Sequence, residues 1–177
     1  MMFCYQCQEA LKNEGCKVNG ICGKKGDTAN LQDLLIYALK GLSLVAVEGR
    51  KAGVSDKEVN VFTVQAAFST LTNVDFDPQR FVPMINSTVE LRERLKGKVK
   101  AAGGKADFPA GPATFKPEAT LEGMQKQAEG VGLKSDPGIN PDILSLQHTT
   151  LFSIKGIAAY ADHARVLGHH EQGPAPL

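Results

Sequence analysis

Apolar residues recur at helical spacing in three stretches within the first hundred positions. Leu31, Leu34, Leu35, Ala38, Leu39, Leu42, Val45 and Ala46 follow one another at steps of three and four. That spacing puts them on one stripe of a helix ending near Gly53, a C-terminal stop. Ser55 followed by Glu58 has the form of a capping box, and Val59, Phe62, Ala66, Ala67 and Leu71 make a second stripe behind it. Residues 73–76 form a turn. Asp77 and Pro78 read as the N-cap and first residue of a third helix through Phe81, Met84, Ile85, Val89, Leu95 and Val99. Pro83 predicts a kink in that helix, or a start delayed to the proline itself. Three amphipathic helices joined by short turns bury their stripes against one another, which predicts a three-helix bundle over residues 30–106.

The pattern then breaks. GGKADFPAGPATFKP, residues 103–117, is rich in Gly and Pro, and residues 107–141 read as a linker carrying one short helix through Leu121, Met124 and Ala128, ahead of a second breaker, SDPGINPD. From Asp142 the chain is helical again to Leu167, and this last helix repeats the first. Aligning residues 30–53 with 145–168 pairs Leu31 with Leu146, Gln32 with Gln147, Lys40 with Lys155, Gly41 with Gly156, Ala46 with Ala161, Arg50 with Arg165 and Gly53 with Gly168. A duplication implies two equivalent bundles, the second incomplete in residues 142–177, where one helix and a tail remain. Its apolar stripe must dock on the first bundle, find a partner, or stay exposed. The expected fold class is all-α.

Residues 1–29 have no such periodicity, and they hold all four cysteines: Cys4, Cys7, Cys16 and Cys22. The segment is too short and polar to build an apolar core, so a tetrahedral zinc site, an iron–sulfur cluster or a pair of disulfides must fix its shape. CxxC serves zinc and clusters alike. The wider loop between Cys16 and Cys22 suits the larger body of a cluster, and Gly15, Gly20 and Gly23 let backbone N–H groups approach inorganic sulfide. Disulfides need an oxidising compartment, and no secretory pattern precedes the cysteines. The cytoplasm is the expected location.

Composition adds limits. With 177 residues, 42% of them hydrophobic, the chain can bury a sizeable core. A formal net charge of +1 gives no reason to expect a nucleic acid or an anionic membrane as partner. Apolar runs such as residues 42–47 are too short to span a bilayer.

FCYQCQE, the following GC, NGICGK and DTANLQDLLIYALKG resemble the amino-terminal signature of the hybrid cluster proteins, also called prismane proteins or hydroxylamine reductases. LFSIKGIAAYADHARVLG resembles the helix that opens their second bundle, so the likeness runs from Phe3 to about Gly168. The resemblance implies that Cys4, Cys7, Cys16 and Cys22 ligate a [4Fe–4S] cubane, with a [2Fe–2S] centre or zinc as alternatives. It further implies an electron-transfer part of an oxidoreductase that reduces hydroxylamine to ammonia. Family members are longer, and their hybrid cluster takes further cysteine, His and Glu ligands from later domains. No cysteine follows Cys22 here, so this chain is expected to lack the catalytic centre. Expected partners are a redox protein or reductase and the missing catalytic domains on a separate chain. The competing class is a metal-stabilised helical interaction module without redox turnover.

The remaining polar residues carry ordinary expectations. His148 and His163 are expected at the surface of the last helix and His169 and His170 in the tail. Arg92, Arg94, Lys96, Lys98 and Lys100, interspersed with Glu90 and Glu93, are expected to form a solvated face. Phe3, Tyr5 and Ile21 are expected to shield the cysteine site, with packing on the bundle as the alternative for Tyr5. Lys24 and Lys25 are expected to moderate the charge of a thiolate-bound centre or to be solvated.

Overall fold

The computed structural model describes residues 1–132 and 138–169, and every regular element named among them is helical. Among the described residues five α-helices follow the cysteine loop: α1 (Gly26–Lys51), α2 (Lys57–Ser69), α3 (Pro78–Ala101), α4 (Leu121–Ala128) and α5 (Pro141–Val166). The only β-type pairing among the described residues is an isolated antiparallel bridge between Cys4 and Cys16. Part of the SDPGINPD breaker and the tail from His170 onward lie outside the described residues.

The bundle is organised around α1. Its stripe residues Leu31, Leu34, Leu35, Ala38, Leu42 and Val45 are completely buried, and they pack with Phe81, Ile85, Leu95 and Val99 of α3, Val59 and Ala66 of α2, and Met124 and Ala128 of α4. By length and composition α1 could also cross a membrane, but here it is the core helix, most of its apolar window being covered by its neighbours. Burying each large aliphatic side chain is worth about 1.5–3 kcal/mol, so this one stripe supplies much of the driving force for folding. The helix begins at Gly26, earlier than its apolar stripe, with Asp27 favourably placed in its first turn and Arg50 and Lys51 in its last.

The ends follow the sequence closely, with one shift. Gly53 has φ +74°, its N–H donates to the Arg50 carbonyl, and the Val54 N–H donates to the Gly49 carbonyl at 2.8 Å, a Schellman stop. The equivalent Gly168 closes α5 in the same way, with His169 N–H donating to the Ala164 carbonyl at 2.9 Å. At α2 the cap is Asp56, not Ser55: the Asp56 carboxylate accepts from the N–H groups of Glu58 and Val59. Lys98 of α3 holds that carboxylate at 2.6 Å and keeps its pKa below the ordinary aspartate value, which decides between two adjacent cap-forming residues. Asp77 caps α3 through Gln79 N–H, and the helix starts at Pro78 and runs on through Pro83.

Residues 103–120 are a packed strap laid over α1. Ala113 is buried, and Phe115 stacks edge-on against Tyr37 of α1 with ring centroids 5.5 Å apart. Arg92, expected on a solvated face, is 2% exposed: its guanidinium donates to the carbonyls of Pro112 at 2.9 Å and Phe115 at 2.8 Å and to Glu93 at 2.7 Å. A cation buried in this way is tolerated because each donor direction it uses meets an acceptor. Close approach of the strap needs Gly41. A methyl group there would lie 2.5 Å from the Pro112 carbonyl carbon and 3.0 Å from the Ala113 nitrogen.

Helix α5 lies against α2 and the cysteine loop, and it does so with its smaller and more polar face. His148, Lys155, Ala158 and Ala159 are buried, while Ile143, Leu146, Ile154, Ile157 and Tyr160 are exposed. The repeat makes this contrast sharp. Leu146, Ile157 and Tyr160, at 68%, 68% and 80% exposure, occupy the places of Leu31, Leu42 and Val45, all at 0%. Gly156, the counterpart of Gly41, has open space above it.

Candidate functional site

The cysteine loop closes one end of the bundle, where the start of α1, the end of α2 and the middle of α5 converge. Cys4 and Cys16 exchange two backbone hydrogen bonds, at 3.0 and 2.8 Å, which places their side chains on the same side of a short ladder. Between them the chain turns through Lys12 and Asn13 with positive φ and then Gly15 at φ +141°, where a β-carbon would run into the Phe3 ring. Met2, Cys16 and Ala29 bury one another beneath this ladder, with Cys4 against them. Cys7 is half-buried, Cys22 is exposed, and all four thiols are free. Among the described residues no three His, Cys, Asp or Glu side chains stand close enough together to hold a metal ion.

Polar contacts anchor the loop. Lys24, the alternative of solvation notwithstanding, is 2% exposed; its ammonium donates to Gln32 Oε1 at 2.7 Å and lies 3.9 Å from Cys4 Sγ. Gln32 passes the link on, its amide donating to the Asp75 carbonyl at 3.2 Å. Gln6 Nε2 donates to the Thr70 carbonyl at the end of α2, and Lys155 of α5 donates to both Gln6 Oε1 and that carbonyl. Burial lowers the Lys155 pKa to about 8, an effect that Lys24 reinforces and Asp33 and Cys4 oppose. Lys25 is exposed.

The aromatic surroundings divide. Phe3 and Tyr5 stack at 5.3 Å, and Tyr5 packs edge-on against Phe152 and His148 of α5, so it does belong to the packing around the site. Ile21 does not shield the loop; it is 58% exposed. His148, expected at the surface, is buried: its Nδ1 hydrogen-bonds the Tyr5 hydroxyl, and burial together with Lys40 lowers its pKa. Burial likewise raises the Tyr5 pKa. His163 and His169 are exposed, as expected.

Sequence reasoning missed Gln6, Gln32 and Lys155. Gln32 carried a signal, standing in the repeat as one of few polar identities. Lys155 carried a misleading one, since its counterpart Lys40 is exposed.

Comparison with known proteins adds the deciding observation. The family model described as Prismane/CO dehydrogenase family matches residues 2–173. The chain belongs to this family. Hydroxylamine reductase of Syntrophobacter fumaroxidans is 62% identical over 170 residues, covering 96% of this chain and 31% of that protein. Proteins of the same name from Methanocella arvoryzae and Solidesulfovibrio magneticus are 58% and 48% identical, over 32% and 31% of their lengths. The chain thus spans about a third of the curated relatives it matches, and Prismane-family residues 2–173 include the cysteine loop and every helix described above.

Proposed function

We propose that this chain is the amino-terminal, electron-transferring iron–sulfur part of a hydroxylamine-reductase-type oxidoreductase, with Cys4, Cys7, Cys16 and Cys22 as thiolate ligands of a [4Fe–4S] centre. The observation that carries the reading is a set of four free thiols, two of them laddered side by side, backed by a buried ammonium 3.9 Å from a cysteine sulfur. By type the donor set fits the group, although no three of these side chains stand close enough together in this structure to hold a metal ion. Four sulfurs without a disulfide suit an iron–sulfur centre, and a lysine N–H beside a thiolate compensates its negative charge. When bound, such a centre supplies one-electron exchange.

The chain's own residues serve that task by position. Met2, Phe3 and Ala29 exclude water from the inner side of the loop, while exposed Cys22 leaves the outer side within reach of a redox partner. Gln6, Gln32 and Lys155 fix the loop to α1, α2 and α5. Reduction of hydroxylamine to ammonia and water consumes two electrons and two protons and needs a metal position open to the N–O group. Four thiolates around a cubane leave no such position, so the bond chemistry belongs to the part of the relatives that this chain does not span. The unpartnered face of α5, with Leu146, Ile154, Ile157 and Tyr160, is where that part would dock, in the same chain or another. The setting of the proposal is the reducing cytoplasm, without nucleic acid or membrane.

The test is an anaerobic assay with reduced viologen. The chain alone should take up an electron in its visible spectrum, lose that response as Cys16→Ser, and form no ammonia from hydroxylamine. Adding the remaining part of a relative should restore ammonia formation. Robust ammonia formation by the chain alone, abolished in Cys7→Ser, would overturn the division of labour.

A further inference from the structure

Two lysines are buried against the cysteine loop from different elements. Lys24, at the loop's end, is 2% exposed, and Lys155, from the middle of α5, is 4% exposed. They share a small pocket with Cys4, Gln6, Gln32 and Asp33. The Lys24 ammonium meets Gln32 Oε1 at 2.7 Å and Cys4 Sγ at 3.9 Å; the Lys155 ammonium meets Gln6 Oε1 at 3.2 Å and the Thr70 carbonyl at 3.3 Å. Neither forms a salt bridge among the described residues, whereas the buried carboxylate of Asp56 is met by Lys98 at 2.6 Å.

Burying an ammonium group without an opposite charge is strongly unfavourable, so such groups are rare unless a counter-charge is supplied. Asp33 is the one carboxylate lining the pocket, and a single carboxylate set against two ammonium groups leaves net positive charge beside the Cys4 sulfur. Neutral acceptors orient both ammonium groups but cannot balance them. What the arrangement does match is a strongly negative group held by the cysteines, and the match improves when that group gains an electron.

Resting on the functional reading above, we infer that Lys24 and Lys155 are positioning charges for the thiolate-bound centre: their field stabilises its reduced state and raises its reduction potential. Net charge and hydrogen bonds to sulfur are among the terms that set such potentials. Lys155 further makes the potential depend on α5. The helix that offers the unpartnered apolar face therefore also carries a charge that bears on the centre.

The experiment is a potentiometric titration, followed by visible and electron paramagnetic resonance spectra, of the anaerobically reconstituted chain. Lys24→Met, Lys155→Met and Lys155→Arg are compared with exposed Lys25→Met as control, after iron and sulfide have been measured in each. Each of Lys24→Met and Lys155→Met should lower the reduced-to-oxidised ratio at fixed poise at least tenfold, equivalent to 59 mV for a one-electron couple. Lys155→Arg and Lys25→Met should stay near the wild-type midpoint. If Lys155→Met does not fold or load, Lys155→Gln, which keeps a donor for Thr70, is judged by the same midpoint. Loaded variants that titrate with the wild-type midpoint would overturn the inference and leave the cluster assignment standing. A wild-type chain without iron and sulfide would overturn the assignment itself, and the inference with it.

Discussion

Gly41 and Gly156 occupy the same place in the two copies of the repeat, yet Ala should have opposite effects at the two. In a helix interior Gly→Ala is worth about 1 kcal/mol of stability, and nothing lies within 4 Å of a methyl group at Gly156. Gly156→Ala should therefore stabilise the chain by about 0.5–1 kcal/mol. At Gly41 the same methyl meets the backbone of Pro112 and Ala113, 2.5 and 3.0 Å from its nearest carbon and nitrogen there. Overpacking of this kind costs about 1–3 kcal/mol. Relief by lifting the strap would break the two hydrogen bonds from Arg92, each worth about 1.5–3 kcal/mol. After the helix-propensity gain, Gly41→Ala should destabilise by about 2–4 kcal/mol, lowering Tm by roughly 5–15 °C for a chain of this size. Urea and thermal unfolding followed by circular dichroism read both variants. Equal effects at the two glycines, or a neutral Gly41→Ala, would show that the strap does not press on α1 as described.

Three further outcomes follow from the same packing. Arg92→Met should cost about 3 kcal/mol or more, because the carbonyls of Pro112 and Phe115 lose charged donors in a buried place, and strap amides should then exchange with solvent faster than those of α3. Leu39→Asp, at a position 5% exposed on α1, should unfold the bundle at neutral pH, seen as loss of the helical circular dichroism signal. For the metal-free chain, the Lys155 pKa of about 8 lies below the ordinary lysine value of 10.5, so between those pH values the unfolded state binds more protons than the folded one. Stability should rise with pH across that window, by about 3 kcal/mol at most, relative to a Lys155→Met chain, in which the Lys155-linked rise is absent; a wild-type difference that is flat from pH 7 to 10 would contradict the burial of a neutralisable lysine.

What could be read from the sequence was whatever repeats with a period. The stripes from Leu31 to Val45 and from Phe81 to Val99 specify helices because one face of each must be buried, and the stops at Gly53 and Gly168 specify ends because left-handed backbone favours glycine. The strap was illegible because it is held by backbone carbonyls that accept from Arg92, and a carbonyl leaves no mark on the pattern of side chains. Arg92 itself was hidden among alternating charges that look like a solvated face. Ser55 and Asp56 are both good caps, and the choice rests on Lys98, 42 residues away in sequence. At the site, the four cysteines were legible by type and spacing, but the buried roles of Lys24, His148 and Lys155 depend on how α5 lies across the loop. The repeat could not supply that, since α1 and α5 bury different faces.

The central claim is that the four cysteines hold an iron–sulfur centre, and the most direct measurement is iron, zinc and acid-labile sulfide per chain after strictly anaerobic purification or reconstitution. The account predicts about four iron and four sulfide per chain, as a cubane requires, and their loss in Cys16→Ser. Stoichiometric zinc without sulfide would contradict it.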